Sequence, residues 1–191
     1  MLQYLVFVGG AVNIYASVRY IKDVIRGDTK PNRVSWLMWS IAPLIATAAA
    51  FSNGVRWAVL PIFLSGFTPL MTFVASFANP NAYWKLEKFD YLCGFFSLLA
   101  LALWGFTQAA VVAIIFAIVS DCLAAVPTLI KSWKYPATES GSTYWGGLVS
   151  ALTGFFAIQT WIFSAYAFLI SIMVQNSLIL FAIYRRRFIK T

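Results

Sequence analysis

Residues 140–184 read SGSTYWGGLVSALTGFFAIQTWIFSAYAFLISIMVQNSLILFAIY and contain no Asp, Glu, Lys or Arg. Drawn as one helix, this stretch would run about 68 Å at 1.5 Å per residue, more than twice a hydrocarbon core about 30 Å thick. It must cross such a core twice, with the break near Thr160. The same reasoning extends outward. Residues 91–130 carry a single charge, Asp121, and are again too long for one crossing; the weak point is Gly105-Phe106-Thr107-Gln108. Spans are expected near 2–20, 34–52, 57–78, 89–106, 110–131, 142–158 and 162–184, which makes seven. Trp36, Trp57, Trp84, Trp104, Trp133, Trp145 and Trp161 fall near the ends of these segments, as interfacial belts require.

Composition supports a membrane protein. Of 191 residues, 61% are hydrophobic and 10% charged, against about 25% charged in an average soluble chain, and mean hydropathy is +0.79. The length leaves no room for a soluble enzyme domain hung on an anchor. There is no histidine, which removes the commonest metal ligand and the usual proton shuttle. No cofactor is expected. Cys93 and Cys122 both fall in apolar stretches and read as packing residues. The net charge of +8 reflects insertion topology rather than a nucleic-acid partner. The loops after spans one, three and five, together with the tail, hold thirteen of the 14 basic residues, leaving only Arg56 on the other side. The positive-inside rule then sets the N-terminus outside and the C-terminus in the cytoplasm of a multi-pass cell-membrane protein. The first segment lacks a basic leader and runs into a basic loop, so it reads as a retained span.

A gap-free shift of 109 residues lays Ile21-Lys22 on Ile130-Lys131, Thr29 on Thr138 and Trp36 on Trp145. It also lays spans one to three on five to seven and leaves span four unpaired. Residues 1–80 therefore form one three-helix repeat, 81–108 a linker with the fourth helix, and 109–191 a second repeat with a basic tail. An odd linker span gives both repeats the same orientation, the parallel arrangement of some secondary transporters.

This 3-1-3 all-α plan, with Lys30-Pro31-Asn32-Arg33-Val34-Ser35-Trp36 at a loop-to-helix entry and Pro127-Thr128 late in span five, resembles the PQ-loop superfamily, which includes the SWEET sugar carriers and cystinosin-like exporters. The Pro-Gln signature itself departs: Pro127-Thr128 stands in one repeat and Val18-Arg19 in the other. The resemblance covers the whole chain as architecture and leaves the substrate open. It implies alternating-access transport of a small polar solute, a sugar, amino acid or similar, with Pro43 and Pro127 as hinges. SWEET-type carriers run downhill, whereas cystinosin-like exporters couple to protons through an intramembrane aspartate. Cargo receptors of related fold bind without transporting.

The residues support a site at one depth. Asp121 lies ten residues before Lys131, Asn13 nine before Lys22 and Asn176 nine before Arg185. Ten residues of helix are about 15 Å, half of a core about 30 Å thick. Polar groups there cost several kcal/mol against lipid and belong in a polar interior. Small and polar stripes run beside them: Gly9, Asn13, Ala16, Ser17 and Tyr20 on span one; Gly146, Ser150 and Thr153 on span six; Ser171 and Gln175 on span seven. Such stripes equally serve close helix packing. Asn13, Gln175 and Asn176 are the expected solute ligands, Trp36, Trp39 and Trp145 the aromatic walls, and Asp121 the proton carrier, as the only acid deep in a span. The loop charges Asp28, Lys30, Arg33 and Glu139 either pair across the repeats as a gate or sit solvated. One carboxylate, no histidine and no lysine expected in the interior do not supply acid–base or nucleophilic chemistry, so no enzyme is expected.

Overall fold

The computed structural model describes residues 1–82, 84–107 and 109–185. Gln108 of the expected break, the ring of Trp104, and Arg186, Arg187 and Lys190 of the tail lie outside what it describes. The described chain is all helical. Seven α-helices are present: α1 Leu5–Arg26, α2 Arg33–Ser52, α3 Val59–Ala75, α4 Lys88–Thr107, α5 Ala110–Lys134, α6 Ser142–Phe155 and α7 Phe163–Tyr184, with short 3-10 turns at 2–4, 80–82 and 136–138. Every expected segment corresponds to one helix. Among the described residues four stretches are long and apolar enough to cross a membrane: Leu2–Arg26, Arg33–Ser52, Val111–Lys134 and Phe163–Tyr184.

The boundaries differ from the charge-free windows for local reasons. α1 runs six residues past the expected end because Lys22 and Arg26 can extend their charged heads away from an apolar stem. It stops at Gly27, whose φ of 86° closes the last turn in the left-handed conformation. α2 begins where the Asn32 side chain accepts hydrogen bonds from the N–H groups of Val34 and Ser35 (3.1 and 3.3 Å), satisfying two donors that a helix start leaves open. α6 is shorter than expected, 14 residues, or about 21 Å. Phe156, Ala157 and Ile158 bond back only three residues, to Thr153, Gly154 and Phe155, which unwinds the chain into a non-helical stretch before α7.

Helices adjacent in sequence are not always the ones that pack. α1 lies mainly against α6 and α3, and α2 against α3 and α5. α7 lies against α5 and α6, with smaller contacts of α3 on α6 and α7 and of α2 on α7, while α4 sits to one side on α5 and α2. α1 and α6 approach closely: a Cβ added at Gly146 would lie 2.6 Å from the Ala16 Cβ and 3.1 Å from the Asn13 Cα, and one at Gly9 would lie 3.1 Å from the Ser150 Cα. The small stripe on α1 is thus largely a packing surface, as small residues are in membrane helices. Tyr20, Trp36, Ile62, Ile114 and Phe168 fill the interior. Phe7, Phe63, Phe95, Val119, Leu152 and Phe181 stand exposed on the outside of six different helices. An apolar exterior of this extent fits a lipid environment and would be a liability in water.

Candidate functional site

Six of the seven helices meet around one cavity of about 70 Å³. That is several times the ~10–15 Å³ that holds a single water. α1 contributes Asn13, α2 Trp36 and Trp39, and α3 Ser65, Thr68 and Pro69. From the other half come Asp121 on α5, Thr143, Tyr144 and Gly147 on α6, and Ile172, Gln175, Asn176 and Ile179 on α7. No described residue of α4 is among them.

The polar side chains are held in place by bonds between helices and along them. Gln175 donates from Nε2 to Asp121 Oδ2 (2.7 Å) and to Ser171 Oγ (2.9 Å). Trp39 donates from its indole Nε1 to the Asp121 carbonyl (3.2 Å), which ties α2 to α5 beside the carboxyl group. Thr68 donates to the Leu64 carbonyl at 2.8 Å and reaches Asn13 Oδ1 at 3.5 Å. Asn176 donates to the Ile172 carbonyl (2.9 Å). Asn13 is 4% and Asp121 5% exposed. Two polar atoms of the lining are buried without a partner: the Trp36 Nε1–H and the Gln175 Oε1.

The cavity therefore brings together Asn13, Trp36, Trp39, Asp121, Gln175 and Asn176, six of the expected site residues. Trp145 is not among them. It is 52% exposed on the outside of α6, and Tyr144 supplies the aromatic wall there, because one residue is about 100° of helix rotation. Pro43 and Pro127 lie buried inside α2 and α5. Cys93 is buried as a packing residue, whereas Cys122 is exposed on the outer face; both are free thiols.

At the end of the helices that carries the basic loops, the cavity is floored by aromatic rings. Trp36 and Trp39 pack edge to face at 5.5 Å, Tyr144 lies 6.3 Å from Trp39, and Tyr20 lies 4.8 Å from Trp36. Tyr20 is two helical turns, about 10 Å, along α1 from Asn13. Beyond the rings is a buried cluster. Lys131 pairs with Glu139, both side chains almost wholly enclosed. The Tyr20 hydroxyl also donates to Glu139, as does that of Tyr144 at 3.0 Å, and Lys131 donates to the Lys30 carbonyl. Further bonds tie the segment after α5 to the first half: Lys30 N–H to the Thr138 carbonyl (3.1 Å) and Ser140 Oγ to Asp23 Oδ2 in the last turns of α1 (2.9 Å). Of the loop charges, Glu139 pairs with Lys131 and Tyr144 of its own half and reaches across to the other half through the Tyr20 hydroxyl. Lys131, expected as an ordinary loop base, is 2% exposed, because α5 continues one turn past the expected end and carries it under the folded-back 135–141 segment.

Among known proteins, the chain matches no family model, no curated protein and no solved structure.

Proposed function

We propose that this protein is a membrane transporter, not an enzyme, that moves a small polar solute through the central cavity by alternating access. One observation carries the reading. Polar side chains at a common helix depth, scattered over 164 positions from Asn13 to Asn176 in sequence, converge on one cavity lined by α1–α3 and α5–α7. Packing alone gives no reason to gather a carboxyl, three carboxamides and the Thr68 hydroxyl at the middle of apolar helices, where each costs free energy against lipid.

The helix contacts favour two parallel triplets joined by α4. Exchanging α1, α2 and α3 for α5, α6 and α7 turns α1–α3 into α5–α7, α2–α3 into α6–α7, and α1–α6 into α5–α2, all of them contacts that are present. A solute seated between two such units is exposed to one side or the other as the units rock. This is also the plan of the PQ-loop and SWEET-like proteins that the sequence resembles. In the orientation that the basic loops favour, N-terminus outside, the Glu139 cluster and the rings above it close the cytoplasmic end. Asp121 is the group that carries a proton in this scheme. A downhill carrier of neutral solutes is the second reading, favoured by the carboxamides of Asn13 and Asn176 and the hydroxyl of Thr68 in the same cavity.

Uptake into proteoliposomes tests the proposal. Across a panel of sugars, amino acids, amines and vitamins, saturable entry of at least one solute is expected. Entry equal to that of protein-free vesicles for every member supports a receptor or scaffold instead.

A further inference from the structure

The chemistry of the cavity is one-sided. Its lining includes a carboxyl, Asp121, and no Lys or Arg, while Trp36, Trp39 and Tyr144 supply aromatic rings. Trp36 is 2% exposed and its Nε1–H has no partner; neither has the buried Oε1 of Gln175, whose amide nitrogen holds Asp121. An unmet donor on α2 and an unmet acceptor on α7, both on residues that line the cavity, suit a ligand that both accepts and donates, such as a hydroxyl. An anion would meet Asp121 with no opposing charge nearby. A neutral polyol would satisfy the two unmet groups but leave the carboxylate unbalanced in a medium where an unpaired charge is costly. An ammonium group balances it, and aromatic faces are a favourable surface for such a cation.

We propose that the cavity takes a small hydroxylated organic cation of the quaternary or primary ammonium class, and that this cation and a proton compete for Asp121. The inference rests on the transport reading above. One carboxylate binds one or the other, so the protein is an exchanger. On one face the cation enters as Asp121 gives its proton to water; on the other a proton returns to Asp121 as the cation leaves. Each cycle moves one positive charge each way and no net charge. Rocking with an empty, ionised Asp121 is disfavoured by the unpaired charge, which keeps the two movements coupled.

Other ionisable groups on the packed elements do not intrude. α2 carries Arg33 in its first turn, α4 carries Lys88, Asp90, Tyr91 and Cys93 towards its start, and α7 carries Tyr166 and Tyr184 towards its ends; none lines the cavity. On α5 itself Cys122, next to Asp121, is partly exposed with its Sγ 3.8 Å from Ser171 Oγ and does not line the cavity, and Lys131 is paired with Glu139. Tyr144 lines the cavity from α6, with its hydroxyl committed to Glu139.

The test uses the full chain in proteoliposomes with a trapped pH-sensitive dye, and choline as probe, because a permanent cation does not cross lipid as a free base. Adding choline outside is expected to raise luminal pH as protons leave, without a change when a potassium clamp removes the membrane potential. Its uncharged carbon isostere, 3,3-dimethylbutan-1-ol, is expected to give no signal, and Asp121→Asn to lose it. Trp36→Phe keeps a ring and removes the unmet donor, and is expected to raise the half-saturating choline concentration about fivefold, the worth of roughly one hydrogen bond. It reports on the site even if Asp121→Asn fails to fold. Luminal acidification on adding an uncharged solute such as glucose, with choline silent, would overturn the cation inference while leaving the transport reading intact. Silence of choline together with failure of the whole uptake panel would overturn both.

Discussion

Lys131 and Glu139 stand eight residues apart in sequence and are buried against each other, with two tyrosine hydroxyls and a backbone carbonyl completing their hydrogen bonds. Removing one partner of such a pair strands the other charge, at a cost of about 3–5 kcal/mol, whereas replacing both by apolar residues is often nearly neutral. Lys131→Met is therefore expected to lower the thermal unfolding midpoint of the purified protein sharply, and Lys131→Met with Glu139→Leu to recover most of the loss. Equal midpoints for the single and double variants would mean that the charges are solvated. The sequence makes some residues of this kind visible and hides others. Asn13, Asp121, Gln175 and Asn176 stand out because a polar side chain amid apolar neighbours has few neutral explanations. Thr68 and Thr143 do not, since a threonine in a helix ordinarily bonds the carbonyl four residues back, as Thr68 does with Leu64. Trp145 was the natural counterpart of Trp36 in the repeat register. A periodicity argument cannot see which way a glycine-rich helix is rotated, and the neighbour Tyr144 holds the wall instead.

At the scale of elements, the α1–α6 contact sets the spacing of the two halves. The Cβ that any other residue would bring to position 146 falls 2.6 Å from Ala16 and 3.1 Å from the backbone of Asn13, so it must push α1 away. Gly146→Leu is expected to destabilise the protein by about 1–3 kcal/mol, the usual cost of overpacking, read as a lower thermal midpoint. Leu152→Ala, at a half-exposed position on the same helix, is the control and should cost less. A tolerated Gly146→Leu would mean that the two helices are not in close contact. Helix existence follows from charge-free windows of suitable length, which is why all seven segments coincide with helices. Helix ends do not, because they depend on hydrogen bonds that hydropathy does not report. The Gly27 cap and the three-residue back-bonds after Phe155 are examples.

For the molecule as a whole, composition decides the membrane class, and the 109-residue shift points to two similar triplets. The packing order is hidden from the sequence: α3 and α6, not α2, are the main partners of α1, because loops join helices that need not touch. In the proposed transport cycle the cavity between α1–α3 and α5–α7 is reached from both faces of the membrane. Ser65 lines it, and the free thiols to be removed are Cys93 and Cys122. The decisive measurement is labelling of Ser65→Cys, in a Cys93→Ser, Cys122→Ser background, by a membrane-impermeant maleimide applied to right-side-out and to inverted vesicles. Labelling from both faces, slowed from each by a transported solute, is expected; labelling from one face alone, with and without solute, would show that the cavity opens to one side only.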